Sequence, residues 1–320
     1  VHLHPPAAIE RPAYPRDQWY VGALSSEIGH APFARTLLSL PIVMYRNRAG
    51  RVLAAHGLCP HRGYPFASGT LVAGGLRCGY HGLTFDDDGA CRALTSPDGA
   101  LRMFATIERP PLVWVWTGAA QAADAGRIPA TADLGIGSGD GRVDACGYLH
   151  VAARYRFLCD NVLDVAQISF IHNGTLERTR LPDVRGPIDV VLTAEVRGPG
   201  LIIAVASEFY RTSSNGTPRT ALAKMAFVHA LTPETATSTH YFPLFTRNFR
   251  LTDEPLSRVM SARNALVAAE DKAVVETLET AAREFAALPG DFSLPEDALA
   301  LRTRQLIATL VAAEANAGAG

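Results

Sequence analysis

The stretch from Cys59 to His81 constrains this chain more than any other. Cys59-Pro60-His61 is a C-x-H half, Cys78-Gly79-Tyr80-His81 is a C-x-x-H half, and sixteen residues separate them. Thiolate and imidazole are good transition-metal ligands. Glycines at 57, 63, 79 and 82 surround the two halves, as tight loops wrapped around a metal group require.

Two metal groups suit that ligand set. A zinc ion takes two Cys and two His tetrahedrally, but its motifs usually pair Cys with Cys and His with His. Here each half mixes the two. A Rieske [2Fe–2S] centre uses two cysteines on one iron and two histidines on the other, and the mixed halves favour it over zinc.

At 320 residues the chain is long enough for two domains, or one large one, with a substantial core. It is 48% apolar and 19% charged, as in an ordinary soluble globular protein, and its net charge of −1 gives no nucleic-acid or membrane footprint. No apolar run reaches the roughly 18 residues of a membrane span. The opening Val1-His2-Leu3-His4-Pro5-Pro6 lacks the apolar core of a signal peptide and reads as a loose terminus. Of five cysteines, Cys91, Cys146 and Cys159 remain outside the motif. That odd remainder argues against a disulfide framework and points to a reducing cytosol.

Short strands are expected over 18–22, 41–46, 51–55 and 111–116, the last with two tryptophans. Asp86-Asp87-Asp88-Gly89 reads as a hairpin turn, because the rest of a calcium loop is missing. Residues 118–142 read as a connector. Its glycines at 135, 137, 139 and 141 follow no strand and make no nucleotide loop. Four strands are expected over 188–196, 201–210, 221–231 and 237–245, forming an antiparallel sheet. A helical pattern starts at Tyr155, another spans 256–288, and a last one runs from Pro295 to about Ala315. The expected class is α+β, with an all-β cluster domain over 1–118 and a sheet-plus-helix domain over 119–320.

A second constellation lies further on. If 159–172 is helical, Asn161, Asp164 and Ile168 share a face, and His172 follows. An acid on a buried face costs several kcal/mol unless it is paired or bound to something. A capping acid in a surface helix is the plainer account. The long C-terminal helix repeats the oddity, for Met260, Asn264, Val267, Asp271, Val274, Val275 and Leu278 form one stripe with Asp271 inside it and Glu270 at its edge. A buried carboxylate, a histidine and a third ligand would make the facial triad of a non-heme Fe(II) oxygenase.

Taken together, these motifs resemble the oxygenase component of Rieske non-heme iron oxygenases, in the vanillate and dicamba O-demethylase branch. The likeness covers nearly the whole chain: Trp19-Tyr20-Val21, both ligand halves, Trp114-Val115-Trp116, Asn161-Val162-Leu163-Asp164, His172, Arg247-Asn248-Phe249 and Glu270-Asp271-Lys272. It implies that Cys59 and Cys78 bind one cluster iron, His61 and His81 the other. It implies that His172 and Asp271 bind a mononuclear iron in a helix-grip-like catalytic domain. Asp164 matches the acid that bridges to a cluster histidine of a neighbouring subunit in a homotrimer, with Asn161 beside it. The implied reaction uses O2 and electrons from a separate NAD(P)H-dependent reductase or ferredoxin to hydroxylate or oxidatively demethylate a small aromatic substrate. Phe242, Phe245 and Arg247 are candidate pocket residues, with core packing the plainer role for the aromatics.

One position departs from the resemblance. Gln167 stands where the family pattern places the first iron histidine. It can ligate iron through its amide oxygen, leave iron to His172, Asp271 and water, or mark a disabled site. The presence of Asp164, His172 and Asp271 together favours a working one. Two rivals remain: a ring-hydroxylating dioxygenase, and a Rieske electron carrier whose iron site has lapsed.

Overall fold

The computed structural model describes residues 14–92, 99–130, 133–134, 141–164, 167–172, 175, 188–198, 200–211, 221–285, 294 and 297–317. The opening hexapeptide, the glycines at 135, 137 and 139, and Pro295 lie outside these residues.

Among the described residues, ten strands precede residue 117: β1 (Trp19–Leu24), β2 (Phe33–Leu37), β3 (Leu40–Arg46), β4 (Val52–His56), β5 (Thr70–Val72), β6 (Gly75–Arg77), β7 (Thr84–Phe85), β8 (Met103–Phe104), β9 (Thr106–Arg109) and β10 (Leu112–Trp116). They form three small antiparallel sheets, ordered β1-β10-β9, β2-β3-β4-β8 and β5-β6-β7. The Asp86–Gly89 segment is the expected turn. Asp86 Oδ1 accepts from the amides of Asp88 and Ala90, and Asp87 accepts from Asn47 Nδ2 at 2.7 Å.

The next six strands are β11 (Arg142–Ala145), β12 (Leu149–Val151), β13 (Ile188–Gly198), β14 (Leu201–Arg211), β15 (Ala221–Thr235) and β16 (Ser238–Arg247). They build one antiparallel sheet in the order β11-β16-β15-β14-β13, with β12 also on β16. The four long strands expected from the sequence are all present.

β1 and β10 are buried on both faces, which explains their unbroken apolar sequences. Tyr20, Ala23, Val113 and Val115 face one core, shared with Leu231 and Tyr241. Trp19, Val21, Trp114 and Trp116 face another, shared with Ala226, Val228, Phe242 and Leu244. Burial at about 25 cal/mol per Å² of apolar surface makes this shared packing the main tie between the two sets of strands. Polar bonds fix the register: Thr232 Oγ1 donates to the Val21 carbonyl, and the Leu38 amide to that of Pro233.

His240 joins the same junction. Its Nε2–H donates to the Thr36 carbonyl at 2.7 Å, so Nδ1 accepts from the Tyr148 hydroxyl at 2.9 Å. Burial lowers its pKa to about 4, against the opposing pull of the Thr36 carbonyl and Glu234. The unfolded chain therefore binds more protons than the folded one between about pH 4 and 6.5. Stability should be constant with respect to this group above about pH 6.5 and fall below it, by on the order of 2 kcal/mol at pH 4.5. Urea midpoints measured at pH 7.5 and 5 should show a shallower fall in His240→Asn than in the wild type.

Among the described residues the α-helices are α1 (Tyr155–Leu163), α2 (Ile168–Ile171), α3 (Glu254–Glu284) and α4 (Ala298–Ala317). In α3, Asp253 caps the first turn through the Leu256 amide at 2.9 Å, and the pre-set φ of Pro255 suits that turn. The buried face of α3 carries Ser257, Asn264, Val267, Ala268, Asp271, Val275 and Glu279. The expected stripe is thus right through Asp271 and wrong at its end. Leu278 is 47% exposed and Glu279 only 1%. Glu279 earns that place by accepting from Arg154 Nε at 2.7 Å and Arg283 Nε at 3.0 Å.

Two further expectations are corrected. Residues 159–172 are not one helix: α1 stops at Leu163, and Asp164 is extended, with φ −83° and ψ 90°. Asp164 and Ile168 therefore share no helix face with Asn161. Arg247 is not a pocket residue either, for it is wholly buried. It donates to Asp144 Oδ2, Ser257 Oγ and the carbonyls of Phe249, Arg250 and Asp253. Phe242 and Phe245 pack in cores.

Candidate iron–sulfur and mononuclear metal sites

The two ligand halves are loops of the same design. The Cys59 amide donates to the Tyr64 carbonyl and the Cys78 amide to that of Leu83, each five residues on. The amides of Gly63 and Gly82, each four residues on, donate back to the carbonyls of Cys59 and Cys78. Both glycines sit at positive φ, 66° and 72°, where a Cβ would be strained. The spacing C-x₃-G is therefore a backbone requirement of each loop, separate from the ligands it presents.

Like residues meet across the loops. The thiols of Cys59 and Cys78 are buried and within hydrogen-bonding reach of each other. The rings of His61 and His81 lie 4.7 Å apart at the exposed tip. Burial and the neighbouring Cys78 raise the Cys59 pKa, while the amides of His61 and Arg62 point at its sulfur and pull it down. Such amides are a recognised means of tuning a cluster's potential. The donor set and its inward-sulfur, outward-imidazole arrangement fit a Rieske cluster.

The second site lies between α2 and α3. His172 is the residue after α2, 4% exposed, and Asp271 is 2% exposed on the inner face of α3. His172 Nδ1 donates to Glu270 Oε2 at 2.7 Å, and Thr175 Oγ1 donates to Glu270 Oε1. That bond turns His172 Nε2 towards Asp271 Oδ1, 3.3 Å away. That contact is an ion-pair approach, and among the described residues Asp271 Oδ1 accepts no hydrogen bond. Two ligand atoms each about 2.1 Å from one ion stand roughly 3.0–3.4 Å apart. The pair fits a metal ion, with Glu270 as the outer carboxylate that orients a ligating imidazole. Burial lowers the His172 pKa, but the Asp271 and Glu270 carboxylates outweigh it and the net shift is upward.

Near this pair lie His229 and Tyr241, which the sequence reading did not single out. His229 on β15 shares a 2.5 Å hydrogen bond with the Tyr241 hydroxyl on β16. Burial lowers its pKa to about 4, so it is neutral at pH 7, and it feels the charges of Asp271 and His172. Asn264, one α3 face with Asp271, donates to the Leu244 carbonyl and to Cys146 Sγ. The signal available was a polar residue at an inward position of an otherwise apolar strand or helix face. Asn161 and Gln167 hydrogen-bond to each other, and Asp164 stands between them in sequence as the cap of α1.

Comparison with known proteins bears on both sites. Residues 18–105 match the Rieske [2Fe-2S] domain, and residues 178–313 match the vanillate O-demethylase oxygenase C-terminal domain. The chain is 34% identical to the dicamba O-demethylase oxygenase component of Stenotrophomonas maltophilia, covering 82% of this chain and 88% of that one. It is 28% identical to a vanillate O-demethylase oxygenase subunit of Pseudomonas sp. (strain HR199 / DSM 7063), over 95% and 97%. A crystal structure of dicamba monooxygenase with non-heme iron and dicamba superposes with a TM-score of 0.75 at 30% identity, covering 94% of this chain and 98% of that chain.

The fold and the first site define a Rieske-domain oxidoreductase with an N-terminal all-β domain followed by a sheet-and-helix catalytic domain. The chain belongs to the family of oxygenase components that includes the dicamba and vanillate O-demethylase oxygenases.

Proposed function

We propose that this chain is the terminal oxygenase of a multi-component system that hydroxylates or oxidatively demethylates a small aromatic substrate. The observation that carries it is the His172–Asp271 pair, a buried imidazole and a buried carboxylate oxygen 3.3 Å apart. When bound, a Rieske cluster supplies electrons one at a time, and a mononuclear iron activates O2 for attack on a substrate C–H bond.

Cys59, Cys78, His61 and His81 hold the cluster, the sulfurs inside and the imidazoles at the surface. His172 and Asp271 hold the mononuclear iron. Glu270 keeps the proton on His172 Nδ1, so that Nε2 presents its lone pair, and Thr175 fixes Glu270 in turn. Buried Asn264, His229 and Tyr241 extend the polar surroundings beyond the ligands. Asp164 bridges to a cluster histidine of an adjacent copy in a head-to-tail homotrimer, a heterologous contact that closes as a ring. A separate NAD(P)H-dependent reductase or ferredoxin supplies the electrons. The chain divides near residue 118. Its five unpaired thiols suit the reducing cytoplasm, and none of the helices of the described residues is long and apolar enough to cross a membrane.

Purified protein should contain acid-labile sulfide and more than two irons per chain. Supplied with a reductase and methoxy-aromatic acids, it should release formaldehyde and the matching phenol in equal amounts. Cluster reduction without O2-dependent product from any methoxy- or methyl-aromatic would sink the proposal and favour an electron carrier.

A further inference from the structure

We infer that Gln167 is not a metal ligand but a brace for the end of α1, so that the mononuclear centre has two protein ligands, His172 and Asp271. The inference rests on the iron-site reading proposed above. Both ends of the Gln167 carboxamide are taken by one neighbour. Oε1 accepts from Asn161 Nδ2 at 2.6 Å, and Nε2 donates to the Asn161 main-chain carbonyl at 2.7 Å.

That carbonyl belongs to the last turn of α1, where helical partners run out. It also accepts the Asp164 amide at 3.1 Å. Gln167 thus completes the bonding of a helix end and lets the chain leave the helix at Asp164. An uncommitted residue would do neither.

The acceptors point the same way. Among the described residues Asp271 Oδ1 accepts no hydrogen bond and faces His172 Nε2 at 3.3 Å, whereas the carboxamide oxygen of Gln167 already has a donor. For Gln167 to reach an ion it would have to release its nitrogen from the α1 carbonyl, and an amide oxygen is a weaker donor to iron than imidazole. On this reading no third ligand comes from the described residues, and that position is left to water or an added ligand.

The test is metal affinity in the cluster-loaded protein. The mononuclear metal is removed with a mild chelator, cluster absorbance is checked, and Fe(II) or Co(II) is titrated in anaerobically. Gln167→Ala should change affinity by less than the roughly tenfold that even an outer partner of a metal site costs. His172→Ala should lower it by about tenfold or more, and Gln167→His should raise it by about tenfold or more. A drop of about tenfold or more in Gln167→Ala overturns the inference while leaving the iron site in place. So does a Co(II)-loaded crystal structure with Gln167 Oε1 at a bonding distance of about 2.2 Å. If the wild type binds no ion beyond the cluster and neither His172→Ala nor Gln167→His alters that, the iron-site reading itself fails.

Discussion

Asp271→Ala protein is expected to keep its visible cluster spectrum and to lose mononuclear iron and oxygenation together. In the proposed centre Asp271 would supply one of the two ligand atoms, beside His172 Nε2. Its removal should therefore cost more than the about 10–100-fold in affinity or activity that follows loss of an outer-shell partner. Cluster absorbance, iron analysis and O2 consumption on one sample check all three parts. Asp164→Asn separates the roles, since it should keep both metals and still lose turnover if Asp164 carries the inter-subunit link. Turnover near wild type in Asp271→Ala would contradict the assignment outright.

Asp144→Ala should be the most destabilising change away from the metal sites. Asp144 accepts from Arg247 at 2.9 Å, Ser257 at 2.9 Å and Arg142 at 2.7 Å. Arg247 has no exposed surface on which to recover water. Removing one partner of a buried ion pair costs about 3–5 kcal/mol, because the other charge stays buried without its counter-charge. Three backbone carbonyls and a serine still face Arg247, which places the expected loss towards the lower end of that range. Thermal melts should show a drop of roughly 10 °C. Asp144→Ala combined with Arg247→Met should recover part of it, and a double variant no better than the single would show that the buried charge is not the cause.

Sequence reasoning worked where one residue type had one physical meaning. The ligand spacing from Cys59 to His81 and the unbroken apolar run of β10 are such cases. It went wrong where the deciding partner was distant. Asn161, Asp164 and Ile168 are spaced as on one helix, yet the helix ends at Leu163, and the Gln167 side chain bonds the Asn161 carbonyl of its last turn. Glu279 displaces Leu278 from the interior because Arg154, over a hundred residues earlier, comes within 2.7 Å. Arg247 reads as a candidate pocket residue until Asp144 and the carbonyls around it are in view. His229 and Glu270 acquire meaning only when β15 and α3 are brought beside His172.

The twin loops also have a mechanical consequence. Because Cys59 meets Cys78 and His61 meets His81, each iron of a cluster held by these four residues draws one ligand from either loop. Neither loop could retain an iron alone, and the inorganic core would act as a clasp between the segment after β4 and the hairpin of β6 and β7. Oxidative loss of the cluster would then unfasten the tip of the domain as well as silence it electrically.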